Sequence, residues 1–390
     1  MEEVSKSVAI IGGGFSGIFS LKEALENRLS ATLFERENAI GGLWNPESGA
    51  MWDNMCTNIS FVSSMISDYP WTSIPPEREF PTNQQIFKYL SDYANHFKLY
   101  ENIQCNAKVT KVSRNHQQGG YQVEYINSAT GQSISKAFDF VIVATGILKS
   151  FLSLATLKEE ELAAARRKMF DSICGQLSIP SLFIEPDQPS FLAISDDYCK
   201  QVRDGCLIFK KAKVVEMTKD SLILDDGSLE RVDDVILCQG YTVDLSFLEQ
   251  EIKDAIQYIE SDTIQPIIAH KEVFCPSMPG IAFIGIYKSA DTTVMELQAR
   301  WATKVFSGAI KPPTDEEMRK DSIAAAVQAM PDLKSLSTSN PSLYKMLYSN
   351  VNTPLIYRLS TNNTQHNDRA IQIIEEIDKL YYHQPNKSNL

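Results

Sequence analysis

This 390-residue chain predicts an α/β fold with a parallel sheet, on three observations. The apolar run Val8-Ala9-Ile10-Ile11 feeds Gly12-Gly13-Gly14-Phe15-Ser16-Gly17, a G-x-G-x-x-G turn, and a helix-like stretch follows. Thr32-Leu33-Phe34-Glu35 reads as a second strand that closes on an acid. Far downstream, Phe140-Val141-Ile142-Val143 is a short continuous apolar run, as expected of a strand covered on both faces. It also ends at a glycine turn, Ala144-Thr145-Gly146.

Each glycine of the first turn has a task. Gly12 makes the tight exit from the strand, Gly14 lets backbone N–H groups approach a diphosphate, and Gly17 lets helix and strand pack closely. The phosphates would sit at a helix N-terminus, where the macrodipole is worth roughly half a positive charge. Glu35 lies near the ~20-residue spacing at which a carboxylate meets ribose hydroxyls. A glycine-rich turn in an unrelated α/β protein is the blander reading, and Glu35 weighs against it. The pattern predicts a dinucleotide held across a Rossmann-like crossover.

Composition narrows the partners. A net charge of −12 argues against a nucleic-acid or anionic-membrane binder. No run of 18 apolar residues is present, so no membrane span is expected. The first residues carry no basic-then-apolar leader. The 7 cysteines are scattered and form no C-x-x-C pair, which fits reduced thiols in a cytoplasmic protein. No metal-ligand cluster or Ser/His/Asp set stands out. The length favours two packed domains.

Along the chain, residues 7–35 form a strand–helix–strand unit, and Phe87–Phe97 carries apolar residues at helical spacing. Val109–Val112, Tyr121–Tyr125 and Phe138–Val143 read as strands, and 157–177 as a helix. Pro180 to Pro189 reads as a linker. Strands are expected again at Cys206–Lys210, Ala212–Met217 and Ser221–Leu224, with a hairpin turn at Asp225–Ser228. Val235–Tyr241 and Pro279–Gly285 repeat the strand-to-glycine pattern, and a helix runs from about Met295 to Phe306.

With these residues in place, the chain resembles the flavin-containing monooxygenases, which bind FAD and use NADPH and O2. Gly12–Gly17 with Phe34-Glu35-Arg36 is similar to their FAD fingerprint, and Ile40-Gly41-Gly42-Leu43-Trp44 to the segment after it. Thr57-Asn58-Ile59-Ser60, followed by Asp68-Tyr69-Pro70, resembles the family's active-site asparagine segment. Val143–Gly146 and Gln239–Tyr241 resemble its two strand-end glycine motifs, and Glu296-Leu297-Gln298-Ala299-Arg300-Trp301 its late flavin-side helix.

The resemblance implies a discontinuous FAD-binding domain over 1–150 and 240–330. It implies an inserted, shortened remnant of an NADPH-type domain over 151–239, with a helical C-terminal tail over 331–390. The cofactor-binding residues it implies are Gly12, Gly14, Phe15, Ser16, Gly17, Glu35, Arg36, Gly42, Leu43, Trp44, Thr57, Asn58, Val109, Ala144, Thr145, Gly146, Gly285 and Gln298. Asn58 is the implied catalytic residue, because an amide offers donors and an acceptor without a titrating proton.

The departures are as informative. The family carries a second G-x-G-x-x-G after the first strand-end glycine, opening its NADPH domain. Here Gly146 leads into Ile147-Leu148-Lys149-Ser150 and no such motif follows. NADPH binding is therefore left open.

Three readings remain. One is transfer of an oxygen from O2 to N, S or a carbonyl carbon of a small molecule through a flavin C4a-hydroperoxide. Its electrons would come from NAD(P)H or a separate reductase. The second is an FAD oxidase or dehydrogenase reduced directly by its substrate. The third is a non-catalytic flavin-binding partner protein. Substrate and oligomeric state are not written in the sequence.

Overall fold

The computed structural model describes residues 5–48, 51–52, 55–57, 59–61, 64–71, 80–146, 198–208, 210, 212–236, 243–258, 260, 266–267, 269–276, 278–286 and 292–320. The chain divides into two compact units, Met1–Lys149 with Tyr241–Leu390, and Ser150–Gly240. The first unit begins with β1 (Ser7–Ile11), α1 (Phe15–Glu26) and β2 (Ser30–Phe34), followed by α2 (Asn83–His96) and β3 (Ile103–Gln104). It continues through β4 (Ala107–Arg114), β5 (Tyr121–Asn127), β6 (Ser133–Phe138) and β7 (Phe140–Val143). The second unit contributes α3 (Tyr198–Arg203) and β8 (Val214–Met217), β9 (Ser221–Leu224) and β10 (Leu229–Arg231). The first unit resumes with α4 (Gln250–Ala255), β11 (Ile281–Phe283), α5 (Thr292–Phe306) and α6 (Asp315–Lys320).

A five-stranded sheet in the order β11-β7-β1-β2-β3 organises the first unit, and every pairing in it is parallel. The apolar run at its centre is explained by burial on both faces. Val8 and Ile10 pack with α1, α2 and α5, whereas Ala9 and Ile11 pack toward the antiparallel β4–β6 layer and Leu248. Alternate residues of β1 thus serve two cores, and a strand so placed has no polar face to display.

In the second unit, β8, β9 and β10 form an antiparallel sheet. The expected hairpin turn is present: Gly227 adopts φ 80°, and the Asp226 carboxylate accepts the Ser228 N–H at 2.8 Å.

Four expectations are corrected. Phe138–Val143 is two strands, because Asp139 turns the chain. Its carboxylate accepts the Ser7 N–H and hydroxyl, both at 2.8 Å, so β6 stays in the antiparallel layer while β7 enters the parallel sheet. Cys206–Lys210 is not a strand in its described residues. The Cys206 and Leu207 N–H groups both donate to Gln201 O and finish α3, with Gly205 at φ 72°, so they are spent on a helix end.

The helix expected over Phe87–Phe97 starts at Asn83 instead, behind a capping box in which Thr82 and Gln85 satisfy each other's backbone N–H. The strand expected over Val235–Tyr241 is not formed at 235–236, and 237–242 lie outside the described residues. So do the 157–177 helix, the Pro180–Pro189 linker and the 331–390 tail.

Candidate functional site

The β1–α1 turn is a cradle made of backbone. Gly12 holds φ 106°, and a Cβ there would stand 2.6 Å from Ala144 O at the end of β7. The Gly17 demand is stricter: a Cβ would fall 1.8 Å from Gly12 O, so helix and strand meet with no side chain between them. Gly14 caps α1 without any side-chain hydrogen bond, and the first turn carries no acidic residue. Its N–H groups are therefore positioned for an external anion.

Other segments close around this turn. The Gly41 N–H donates to Gly13 O at 2.8 Å, and Gly42 lies directly against Gly14. Leu43 and half-buried Trp44 complete the same 3-10 turn, with Trp44 packed on the helical-side core. A Cβ on Gly285 would strike the Ser16 hydroxyl, and the Gly285 N–H donates to Gln298 Oε1 at 3.0 Å. Phe15 meets Phe19 edge-on at 5.7 Å. The Ala144 N–H bonds Ile11 O at 2.9 Å, which sets Thr145 and Gly146 at the strand end beside Gly12.

Glu35 is buried next to the cradle. Its carboxylate accepts the Gly13 N–H at 2.6 Å and the Glu37 N–H at 2.9 Å. Burial raises its pKa from the ordinary value, against the lowering effect of those two donors. Gly13, absent from the expected set, is thus a fixed part of the site. A Cβ on it would stand 2.7 Å from Glu35 Oε2.

The remaining expected residues divide. Thr57 is buried, its N–H on Pro81 O at 2.8 Å and its hydroxyl donating to Ile59 O at 2.6 Å. Val109 sits at a register shift in β4, two residues after Ala107, whose N–H bonds Glu35 O at 2.8 Å. Arg36 is not drawn into the cradle. It is 70% exposed and pairs with Glu37 at 3.0 Å. Asn58 lies outside the described residues.

The other tryptophans stand apart from the cradle turn in their contacts. Trp71 stacks on Tyr89 at 4.1 Å, Trp301 meets Phe274 at 4.7 Å, and Trp52 is exposed.

A second constellation was not anticipated from sequence. Lys22 and Glu23 on α1, Asp68 in the 64–71 loop, and Glu296 and Arg300 on α5 form a largely buried ionic network. Lys22 reaches Asp68 at 2.5 Å, and Arg300 reaches Glu23 at 3.1 Å and Glu296 at 2.7 Å. Glu296 also accepts the Ser67 hydroxyl, and the Ser67 N–H at 3.1 Å. Its pKa is raised by burial, opposed chiefly by Arg300. The i,i+4 spacings of Glu296 with Arg300 and of Lys22 with Glu26 were the local signals available.

A dinucleotide fits these residues. The uncapped helix start suits a diphosphate, the side-chain-free Gly14–Gly42 contact suits close backbone approach, and Glu35 suits a ribose. The site and sheet together define a Rossmann-type α/β oxidoreductase scaffold. A family model described as flavin-binding monooxygenase-like matches residues 5–166 and 186–326. The chain belongs to that family of flavin-dependent oxidoreductases.

Among relatives, the flavin-containing monooxygenase GS-OX-like 6 of Arabidopsis thaliana is 25% identical over 362 residues, spanning 82% of this chain and 76% of its own. Flavin-containing monooxygenase 5 of Homo sapiens is 26% identical over 484 residues, spanning 91% and 89%. That alignment is longer than this chain of 390 residues, so the human relative carries stretches missing here.

The solved S-allyl-L-cysteine S-oxygenase of Allium sativum is similar in fold. Its TM-score is 0.56 at 19% identity, covering 95% of this chain and 89% of that one. Bacillithiol disulfide reductase of Bacillus cereus gives a TM-score of 0.57 at 17% identity, covering 78% and 100%. Among the described residues no helix is long and apolar enough to cross a membrane, and no group of three or more His, Cys, Asp or Glu is placed to hold a metal.

Proposed function

We propose that the protein binds FAD in the β1–α1 cradle and transfers one oxygen of O2 to N, S or a carbonyl carbon of a small molecule. The carrying observation is the cradle itself, glycine-built, uncapped and closed by Glu35, in a chain of the flavin-binding monooxygenase-like family. FAD supplies the electron reservoir and the O2 chemistry, and the protein supplies position and dryness. The α1 amides would hold the diphosphate, Glu35 the ribose, and Gln298 would fix the Gly285 turn against Ser16. Asn58 is the proposed residue beside the reacting edge, donating and accepting without releasing a proton.

Residues 151–239 are proposed as the shortened remnant of a nicotinamide-type domain between the FAD-binding stretches 1–150 and 240–330. The missing second glycine fingerprint and the extra length of the human relative support this. Electrons would then come from loosely held NAD(P)H or a separate reductase. The scattered reduced-type cysteines favour a cytoplasmic working place.

Turnover under labelled O2 with amines, sulfides and ketones tests the proposal, with label expected in product. No label across all three classes would sink it. The same missing fingerprint favours a second reading, an oxidase or dehydrogenase reduced by its own substrate. Anaerobic mixing separates the two, since rapid saturable bleaching by NADPH removes the second.

A further inference from the structure

Three carboxylates, Glu23 and Glu296 buried and Asp68 largely so, lie in one network with buried Lys22 and largely buried Arg300. Burying charge in this way is a poor route to stability, because desolvation consumes most of the Coulombic gain. What such a network does provide is geometry. Three helices use it and its neighbours to grip one short loop. Lys22 on α1 pairs with Asp68, and Tyr89 on α2 accepts the Ile66 N–H at 2.9 Å and donates to Tyr69 O. Glu296 on α5 accepts both donors of Ser67.

The grip extends upstream toward the segment with the proposed reactive asparagine. The Ser64 N–H donates to Ser60 O at 3.0 Å, and its hydroxyl to Phe61 O at 3.2 Å. Two residues after Glu296 on the same helix, Gln298 holds the Gly285 turn against the cradle. One helix therefore indexes both the cofactor turn and the loop.

We propose that Glu296, backed by Arg300, is a positioning residue that clamps the 64–71 loop, and through it Ser60 and Phe61, in the conformation oxygenation requires. The proposal rests on the monooxygenase reading for its consequence and on the hydrogen bonds alone for the clamp. O2 consumed by the reduced enzyme ends with one oxygen in product and one in water, or with both in hydrogen peroxide. A loosened loop admits water and shifts that partition toward peroxide.

The test compares wild type, Glu296→Gln, Ser67→Ala and the double variant. Hydrogen exchange of the 64–71 amides is read in the FAD-free protein. FAD affinity and the product-to-peroxide ratio are read after dithionite reduction and mixing with O2 and methyl phenyl sulfide. Exchange in the loop should quicken about tenfold in either single variant. FAD affinity should stay within about threefold while peroxide rises at the expense of sulfoxide, a split that general destabilisation would not give.

The double variant should be no worse than Glu296→Gln, because the hydroxyl bond that Ser67→Ala removes is one of those Glu296→Gln already disturbs. Unchanged exchange, or effects that add, would overturn the clamp. Should Glu296→Gln not fold, Ser67→Ala, which keeps the Ser67 N–H bond, decides alone. A wild type that makes no oxygenated product from the wider substrate panel sinks the monooxygenase reading. The exchange arm still decides the clamp.

Discussion

The cradle and the clamp lie in the same unit and are built from opposite materials. In the cradle, backbone does the recognition: glycines stand where a Cβ would strike a neighbour, and the one essential side chain, Glu35, is itself held by two N–H groups. In the clamp, side chains do it, with charged groups from α1 and α5 meeting a loop between them. A backbone device needs particular residues at fixed local spacing. A side-chain device needs only partners that the fold brings together.

That contrast predicts how each fails. Gly17→Ala should have the largest effect in the molecule. Its methyl group would stand 1.8 Å from Gly12 O, so α1 must lift from β1, and backbone cannot yield as a flexible side chain can. Overpacking costs about 1–3 kcal/mol, and more where the neighbour cannot shift. We expect a protein purified without yellow colour and with a clearly lowered unfolding midpoint. A Gly17→Ala protein that keeps both flavin and midpoint would break the claim that the cradle is made of unyielding backbone.

The clamp should fail more locally. Tyr89→Phe removes the hydroxyl that accepts the Ile66 N–H and donates to Tyr69 O, and leaves a buried donor unpaired. An unsatisfied buried group costs about 1–3 kcal/mol. Urea denaturation should show that loss with an unchanged slope, and FAD affinity should hold. Loss of FAD together with stability would mean that the two regions are one device.

The same contrast explains what the sequence made legible. Gly12, Gly14, Gly17 and Glu35 could be placed by inspection because their geometry is local or follows from a standard crossover. Ser67 and Glu296 are 229 residues apart, and Glu23 and Arg300 are 277, so no spacing rule connects them. Only the i,i+4 pairs Glu296–Arg300 and Lys22–Glu26 left a trace, and such pairs usually signal a solvated helix face.

Element boundaries slipped for a related reason. Asp139 breaks an apolar run because a distant partner, Ser7, captures its carboxylate. Thr82 starts α2 ahead of the apolar stripe because capping is polar chemistry, which hydrophobic periodicity does not register.

The smallest expected effect is the sharpest probe of the cradle. Burial raises the Glu35 pKa above its ordinary 4.5, so the folded protein without FAD holds that proton more tightly than the unfolded chain does. The stability this contributes is fully present below 4.5 and is lost as pH rises through the folded-state value. FAD should respond in the opposite sense, because ribose hydroxyls donate best to the ionised carboxylate, and acidification removes it.

As pH rises above 4.5 and through the folded-state value, the urea midpoint of the FAD-free protein and its FAD affinity should therefore carry Glu35 contributions of opposite slope. Glu35→Gln should subtract both contributions, leaving the other buried carboxylates' share of the stability profile in place. A variant that flattens the affinity profile and leaves the stability profile as it was would place the buried proton elsewhere. The converse would separate Glu35 from the ribose.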